Sequence, residues 1–154
     1  MKIRQATADD ADELIRLRAV MLRTFSTENW NDDWHASARE TLCRRLGAVE
    51  PTLAAFVAEA PEGSGLAACA VGAIEERLGN PSNPDGRVGY VFNVSTEPAL
   101  RRRGYSRACM EALLQWFRDQ GVRAVDLRAS PDGESLYASL GFVRTSEPGM
   151  RLRL

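Results

Sequence analysis

The segment that most restricts the fold runs from Val88 to Ala129. Val88 to Thr96 is short, apolar and rich in β-branched residues, which reads as a strand. After a turn closed by Gly104, the residues Tyr105, Ala108, Cys109, Ala112, Leu113, Trp116 and Phe117 recur at helical spacing, with Arg107, Glu111, Gln115 and Arg118 on the opposite face. Gly121 stops that helix, and Ala124 to Ala129 reads as a second strand. Strand, crossover helix and strand form a βαβ unit, so part of the sheet is parallel and the helix covers one of its faces.

The rest of the chain supplies the other layers. Lys2 to Gln5 reads as a short strand, and Thr7-Ala8-Asp9-Asp10 as a capping box opening a helix with the stripe Ala11, Leu14, Leu17, Met21 and Phe25. A second helix starts near Asn31-Asp32-Asp33, where acids suit the positive helix end; its stripe is Trp34, Ala38, Leu42 and Leu46, and Gly47 ends it. Thr52 to Glu59 and Leu66 to Arg77 read as strands, with a surface loop from Gly79 to Gly86. Glu134 to Leu140 reads as a short helix closed by Gly141, and Phe142 onward as one or two final strands. The order β-α-α-β-β-β-α-β-α-β predicts an α/β fold, a mixed and largely antiparallel β-sheet flanked by α-helices on both faces, in a single domain over residues 1–154.

Twenty basic and twenty-one acidic residues leave a net charge of −1, which argues against a nucleic-acid or anionic-membrane binder. The longest apolar run, Leu66 to Ile74, falls well short of the ~20 residues a spanning helix needs, and Met1 to Gln5 carries no signal-peptide pattern. Three widely spaced cysteines, Cys43, Cys69 and Cys109, and the single His35 offer no metal-ligand spacing and no disulfide framework. Reduced thiols and a cytoplasmic location are the expectation.

The turn Thr96-Glu97-Pro98-Ala99-Leu100-Arg101-Arg102-Arg103-Gly104-Tyr105-Ser106 is the most informative stretch. Three arginines just before a helix start are unfavourable for the helix alone by roughly a few tenths of a kcal/mol each, because that end already carries partial positive charge. An anion at the turn reverses the balance: free amides of the first helical turn point at it, Gly104 permits close approach, and the guanidiniums add charge. A diphosphate is the natural guest. On this segment alone, a solvated arginine-rich loop with an ordinary turn glycine stays open.

Arg101-x-x-Gly104-x-Ser106, preceded by Thr96-x-Pro98 and a strand carrying Asn93-Val94, resembles the acetyl-CoA signature of the GCN5-related N-acetyltransferases. A second block, Leu127-x-Ala129-Ser130-x-x-Gly133-x-x-Leu136-Tyr137-x-x-Leu140-Gly141-Phe142, is similar to the family's later strand and short helix. The element order matches as well, so the resemblance covers the whole chain. Ser106 departs from the usual Gly or Ala, and Tyr90 stands near the position where some protein-acetylating members carry a catalytic Glu.

The resemblance implies acetyl-CoA as cofactor and transfer of its acetyl group to a primary amine. It assigns the diphosphate to Arg101, Arg102, Arg103, Gly104, Tyr105, Ser106 and Arg107, and the pantetheine arm to the backbone of Val94 and Thr96, with Ser130 a further cofactor contact. It makes the Val94 N–H the oxyanion donor and Tyr137 the acid that protonates the departing thiolate. A structural aromatic is the other reading of Tyr137. The general base stays open among Tyr90, Glu75, Glu76, Glu97 and a water chain. Cys109 lies on an apolar helix face, which favours direct transfer over a covalent intermediate. Metal ions have no expected role.

The first two helices and their connection wall the acceptor pocket in this fold, which makes Trp30, Asp33, Trp34 and Tyr90 candidate acceptor contacts. Interleaved acids and aromatics suit a cationic amine. The plainer alternative has Asp32 and Asp33 capping a helix and both tryptophans in the core, which needs no ligand. A small-molecule amine is the expected partner, with no nucleic acid and no membrane. A catalytically silent acyl-CoA-binding domain and a protein N-terminal or lysine acetyltransferase are the alternatives. Members of the family often form homodimers, but no interface is marked in the sequence.

Overall fold

The computed structural model, which describes residues 1–154, contains a five-stranded sheet whose spatial order follows the sequence. Strands β1 (Ile3–Gln5), β2 (Leu53–Glu59), β3 (Leu66–Glu76) and β4 (Arg87–Thr96) pair antiparallel in succession. Strand β5 (Val125–Leu127) joins β4 in parallel, as a strand reached through a crossover helix must. The helices are α1 (Ala11–Phe25), α2 (His35–Leu46), α3 (Tyr105–Asp119) and α4 (Glu134–Ser139).

The capping box forms as its sequence requires. Thr7 Oγ1 accepts from the Asp9 N–H at 3.3 Å and the Asp10 carboxylate accepts from the Thr7 N–H at 2.8 Å, starting a 3-10 turn that runs into α1. Arg4 clamps the same Asp10 carboxylate with two bonds of 2.8 Å, tying the helix start to β1.

The core has two layers. On one face α3 lays Cys109, Met110, Leu113 and Phe117 over Ala54, Ala58, Ala68, Ala70 and Val91. On the other, Leu14 and Leu17 of α1 meet Leu53, Ala55, Val57, Cys69 and Val71, with Leu42 and Leu46 of α2 at the margin. Both faces of β2 and β3 are covered, which is why their sequences run almost continuously apolar instead of alternating. Small residues on the α3 face let that helix sit low. A Cβ at Gly72 or Gly89 would stand 2.9 or 2.8 Å from the Phe117 ring, so close approach demands glycine at both.

Several expectations are corrected. No strand follows Leu127: residues 143–154 form no regular element, and Val143, Met150, Leu152 and Leu154 are exposed. Alternation confers a preference, but a strand exists only where an edge accepts it. Strand β5 is likewise three residues long instead of spanning Ala124 to Ala129. Phe25, the last member of the α1 stripe, is 64% exposed because α1 outruns the core. Helix α2 begins at His35 with no side-chain cap, so Asp32 and Asp33 do not cap it.

Candidate active site

Strand β4 changes partner halfway along. From Arg87 to Val91 it is matched residue for residue with β3, and Gly89, Tyr90 and Val91 also pair with Val125, Asp126 and Leu127 of β5. Gly72 then faces Val91 while Val71 faces Asn93, which leaves Phe92 as the extra residue of a bulge. Pairing with β5 ends at Val91, immediately before it. Beyond the bulge the Glu97 N–H donates to the Ala67 carbonyl at 2.7 Å. Antiparallel ladders alternate, so the N–H and C=O groups of Val94 and Thr96 point away from β3, onto an edge with no neighbouring strand. The result is an opening between β4 and the end of β5, lined with unpaired main-chain donors and acceptors.

That edge runs directly into the arginine turn. Pro98–Leu100 forms one 3-10 turn, Arg102 takes φ 62° and Gly104 φ 84°, and α3 begins at Tyr105. Two residues of positive φ, separated by one that is not, curl the backbone at the helix start, the kind of turn in which successive amides favour an anion. The first helical bond runs from the Ala108 N–H to the Gly104 carbonyl at 3.1 Å, leaving the amides of Tyr105, Ser106 and Arg107 free. A Cβ on Gly104 would meet nothing within 4 Å, so the backbone conformation alone requires glycine there. Arg101, Arg102 and Arg103 are exposed. The Arg107 side chain turns away and donates to Ser139 Oγ at 2.7 Å, leaving its backbone amide as its contribution to the turn. The Ser106 hydroxyl is hydrogen-bonded to Thr96 Oγ1, which pins the end of β4 to the start of α3.

Tyr137 stands half-buried on α4, edge-on to Phe142 with ring centroids 6.1 Å apart. It packs against the α3-side core, as do Val94 and Tyr105. Burial, the sole cause, raises its phenol above the ordinary value, so the proton stays on oxygen at neutral pH. Gly133 makes room for the ring: a Cβ there would stand 3.0 Å from Tyr137 Cε2. Ser130 Oγ accepts from the Gly133 N–H at 3.2 Å and so shapes the turn into α4.

The opposite face of β4 looks toward α1. Tyr90 lies opposite Ala73, a residue of the α1-side core, and its neighbour on β5 is Asp126. Val125 and Leu127 pack into the α3-side core, so Asp126 between them faces the Tyr90 side, where it is exposed. Sequence reasoning missed Asp126, although its place between two apolar residues of a short strand was a readable signal. It also missed Arg18 and Asn93, joined by a bond of 3.3 Å between Nη1 and Oδ1. Glu97 is bound by the Arg16 guanidinium at 2.5 Å, and Glu75 and Glu76 sit at the far end of β3 opposite Val88 and Arg87.

The connection between α1 and α2 departs from the plainer reading, in which the aspartates cap α2 and both tryptophans lie in the core. Trp30 and Trp34 are half-buried and meet in a T-shaped, edge-to-face pair with ring centroids 6.1 Å apart, outside the core. The Arg23 guanidinium already lies 4.5 Å over the Trp30 ring. Trp34 Nε1 donates to the Asn31 carbonyl at 3.0 Å, and Asn31 Oδ1 accepts from the Asp33 N–H at 2.9 Å, leaving the Asp33 carboxylate exposed. Asn31 supplies the turn chemistry expected of the aspartates because its amide oxygen reaches the backbone two residues on.

Cys69 and Cys109 are buried, and burial pushes each thiol up to about 12, far from nucleophilic at neutral pH. No helix is long and apolar enough to cross a membrane.

The acetyltransferase (GNAT) family model matches residues 16–142. No curated protein matches the sequence. Among solved structures, a predicted acetyltransferase from Clostridium acetobutylicum, determined with acetyl-CoA, superposes with a TM-score of 0.85 at 24% identity, covering 99% of this chain and 95% of that one. A GCN5-related N-acetyltransferase from Ralstonia eutropha JMP134 gives 0.82 at 25% identity over 98% and 97% of the two chains. An aminoglycoside acetyltransferase from an uncultured soil metagenomic sample, in complex with trehalose, gives 0.74 at 16% identity over 99% and 95%.

Proposed function

The chain belongs to the acetyltransferase (GNAT) family, and on that premise we propose that it transfers the acetyl group of acetyl-CoA to a primary amine of a small molecule by direct attack in a ternary complex. Acetyl-CoA is the co-substrate of this family, and the acetyltransferase domain is taken to span residues 1–154.

The observation that carries the reading is the unpaired edge of Val94 and Thr96 leading into the free amides of Tyr105, Ser106 and Arg107. The amides of the pantetheine arm pair with that edge as an added strand would, and the diphosphate rests on the turn beside Arg101, Arg102 and Arg103. The amine nitrogen attacks the thioester carbon, and the developing oxyanion takes a hydrogen bond from the Val94 N–H, an interaction worth about 3 kcal/mol of barrier. As the C–S bond breaks, Tyr137 gives its phenolic proton to the sulfur. The amine proton leaves through Tyr90, Asp126 or water, since Arg16 holds Glu97 and the other glutamates are remote. The buried, high-pKa cysteines favour this direct route over an acyl-enzyme. Likeness to an aminoglycoside acetyltransferase supports a small-molecule acceptor. The free cysteines support a reducing, cytoplasmic setting.

Thiol release from acetyl-CoA against an amine panel, with coenzyme A calorimetry alongside, tests the reading. It predicts heat with coenzyme A and turnover with at least one amine. Heat without turnover at any pH would mark a silent acyl-CoA-binding domain, and no heat at all would remove the cofactor site.

A further inference from the structure

Arg18 is the one arginine whose guanidinium burial holds below its ordinary value. It lies on the sheet-facing side of α1, one turn past Leu14, where apolar residues otherwise stand. It is half-buried between the buried Leu17 and Ala19, and the helix becomes exposed only toward its end, where Phe25 is 64% exposed. Helix α1 runs antiparallel to β4: Arg16 reaches Glu97, Arg18 reaches Asn93, and the helix continues toward the Tyr90 end.

No carboxylate meets this cation. Arg4 is matched by Asp10 and Glu59, and Arg16 by Glu13 and Glu97, whereas Arg18 has only the neutral Asn93 Oδ1. Asn93 is held in that orientation by its amide nitrogen, 3.5 Å from Cys69 Sγ. A guanidinium has five N–H donors, so this single bond leaves most of its hydrogen-bonding capacity unused. Asn93 also immediately precedes Val94, whose N–H lines the cofactor edge. The Trp30 ring, which a cationic amine could otherwise use, is already covered by the Arg23 guanidinium at 4.5 Å.

Given the transferase reading, we infer that Arg18, oriented by Asn93, binds an anionic group of the acceptor, so that the substrates are amines bearing a carboxylate or phosphate and not polycations. The guanidinium holds the acid end while the amine nitrogen reaches the thioester beside Val94. Asp126, on the same face of the sheet as Tyr90, borders the amine end with the opposite charge.

Matched acceptors provide the test: phenylalanine against phenylalaninamide, and phosphoethanolamine against ethanolamine. The wild type is expected to favour one or both anionic members by about ten- to a hundred-fold in kcat/KM, the pair that shows it identifying carboxylate or phosphate as the ligand. Arg18→Gln should collapse that ratio, mainly through KM, and Arg18→Lys should restore part of it. A ratio near one in the wild type, or an Arg18→Gln variant that loses all acceptors in equal proportion, would overturn the inference. Calorimetry of N-acetylphenylalanine and phosphoethanolamine against their neutral counterparts, with wild-type protein saturated with coenzyme A, needs neither turnover nor a variant. Selective heat there, with no amine ever turned over, would keep the anion site and refute the transferase; turnover of neutral amines without selective heat would do the reverse.

Discussion

The two halves of β4 share one strand and one style of sequence, yet they do opposite work. From Gly89 to Val91 the strand is paired on both sides, and Gly89 together with Gly72 of β3 lets Phe117 sit close over it. After Phe92 it is paired on one side only, and its free edge leads to the arginine turn. An unpaired edge is normally a liability that folded proteins cover or blunt. Here it is short and bent away by a bulge, so it can stay open for a ligand without inviting another strand. The paired half should therefore respond to substitution through stability, and the open half through cofactor and rate.

The largest effect is expected in the paired half. Phe117→Ala removes the ring that fills the space over Gly72 and Gly89, and should cost about 3–5 kcal/mol in denaturant unfolding. Below its unfolding transition the variant should still bind coenzyme A, because the turn is built by other residues. A variant that stays stable but loses coenzyme A would break the division between the halves.

Tyr137→Phe probes the open half with little change in shape. Its hydroxyl has no hydrogen-bonding role that registers on its proton affinity, burial being the only influence, so folding should be nearly unaffected. The kcat should fall more than ten-fold, within the general-acid range of about 10²–10⁴, at constant coenzyme A affinity. A kcat within two-fold of wild type, by the same thiol assay, would return Tyr137 to a packing role.

Gly104→Val acts on the turn itself. A β-branched residue at φ 84° is strained by roughly 1–2 kcal/mol, although its Cβ would meet no protein atom. Coenzyme A affinity should drop by more than that strain predicts, because the added side chain occupies the space the diphosphate needs. Equal losses in stability and affinity would mean that the conformation matters and the space does not.

Much of this contrast was legible in the sequence, and part was not. The arginine turn declared itself because its charges oppose the polarity of the helix that follows, a conflict visible without coordinates. The capping box and the βαβ unit were similarly local. The bulge was hidden: Val91-Phe92-Asn93-Val94 contains no glycine or proline to mark it, and only the register with Val71 and Gly72 shows that Phe92 is extra. Asp126 and Arg18 were hidden for the same reason, since each matters through a residue on another element. The tail misled in the other direction. Met150-Arg151-Leu152-Arg153-Leu154 alternates as a strand should, yet these residues lie exposed and unpaired. Periodicity reports what a segment prefers, and a partner edge decides whether it gets it.

Ser106 sharpens the contrast with the smallest expected change. Read from the sequence, its hydroxyl could contact a phosphate oxygen; in the structure it bonds Thr96 across the junction between the open edge and α3. Ser106→Ala separates the two roles. If the hydroxyl only pins the junction, the variant loses about 0.5–1.5 kcal/mol of stability, the usual worth of one hydrogen bond, while its coenzyme A affinity stays within about two-fold. If the hydroxyl also reaches the diphosphate, affinity should fall by about ten-fold, because hydrogen bonds to charged groups are stronger than neutral ones. The first outcome is expected: the Thr96 bond occupies the hydroxyl, and the free amides of Tyr105, Ser106 and Arg107 satisfy the anion without it.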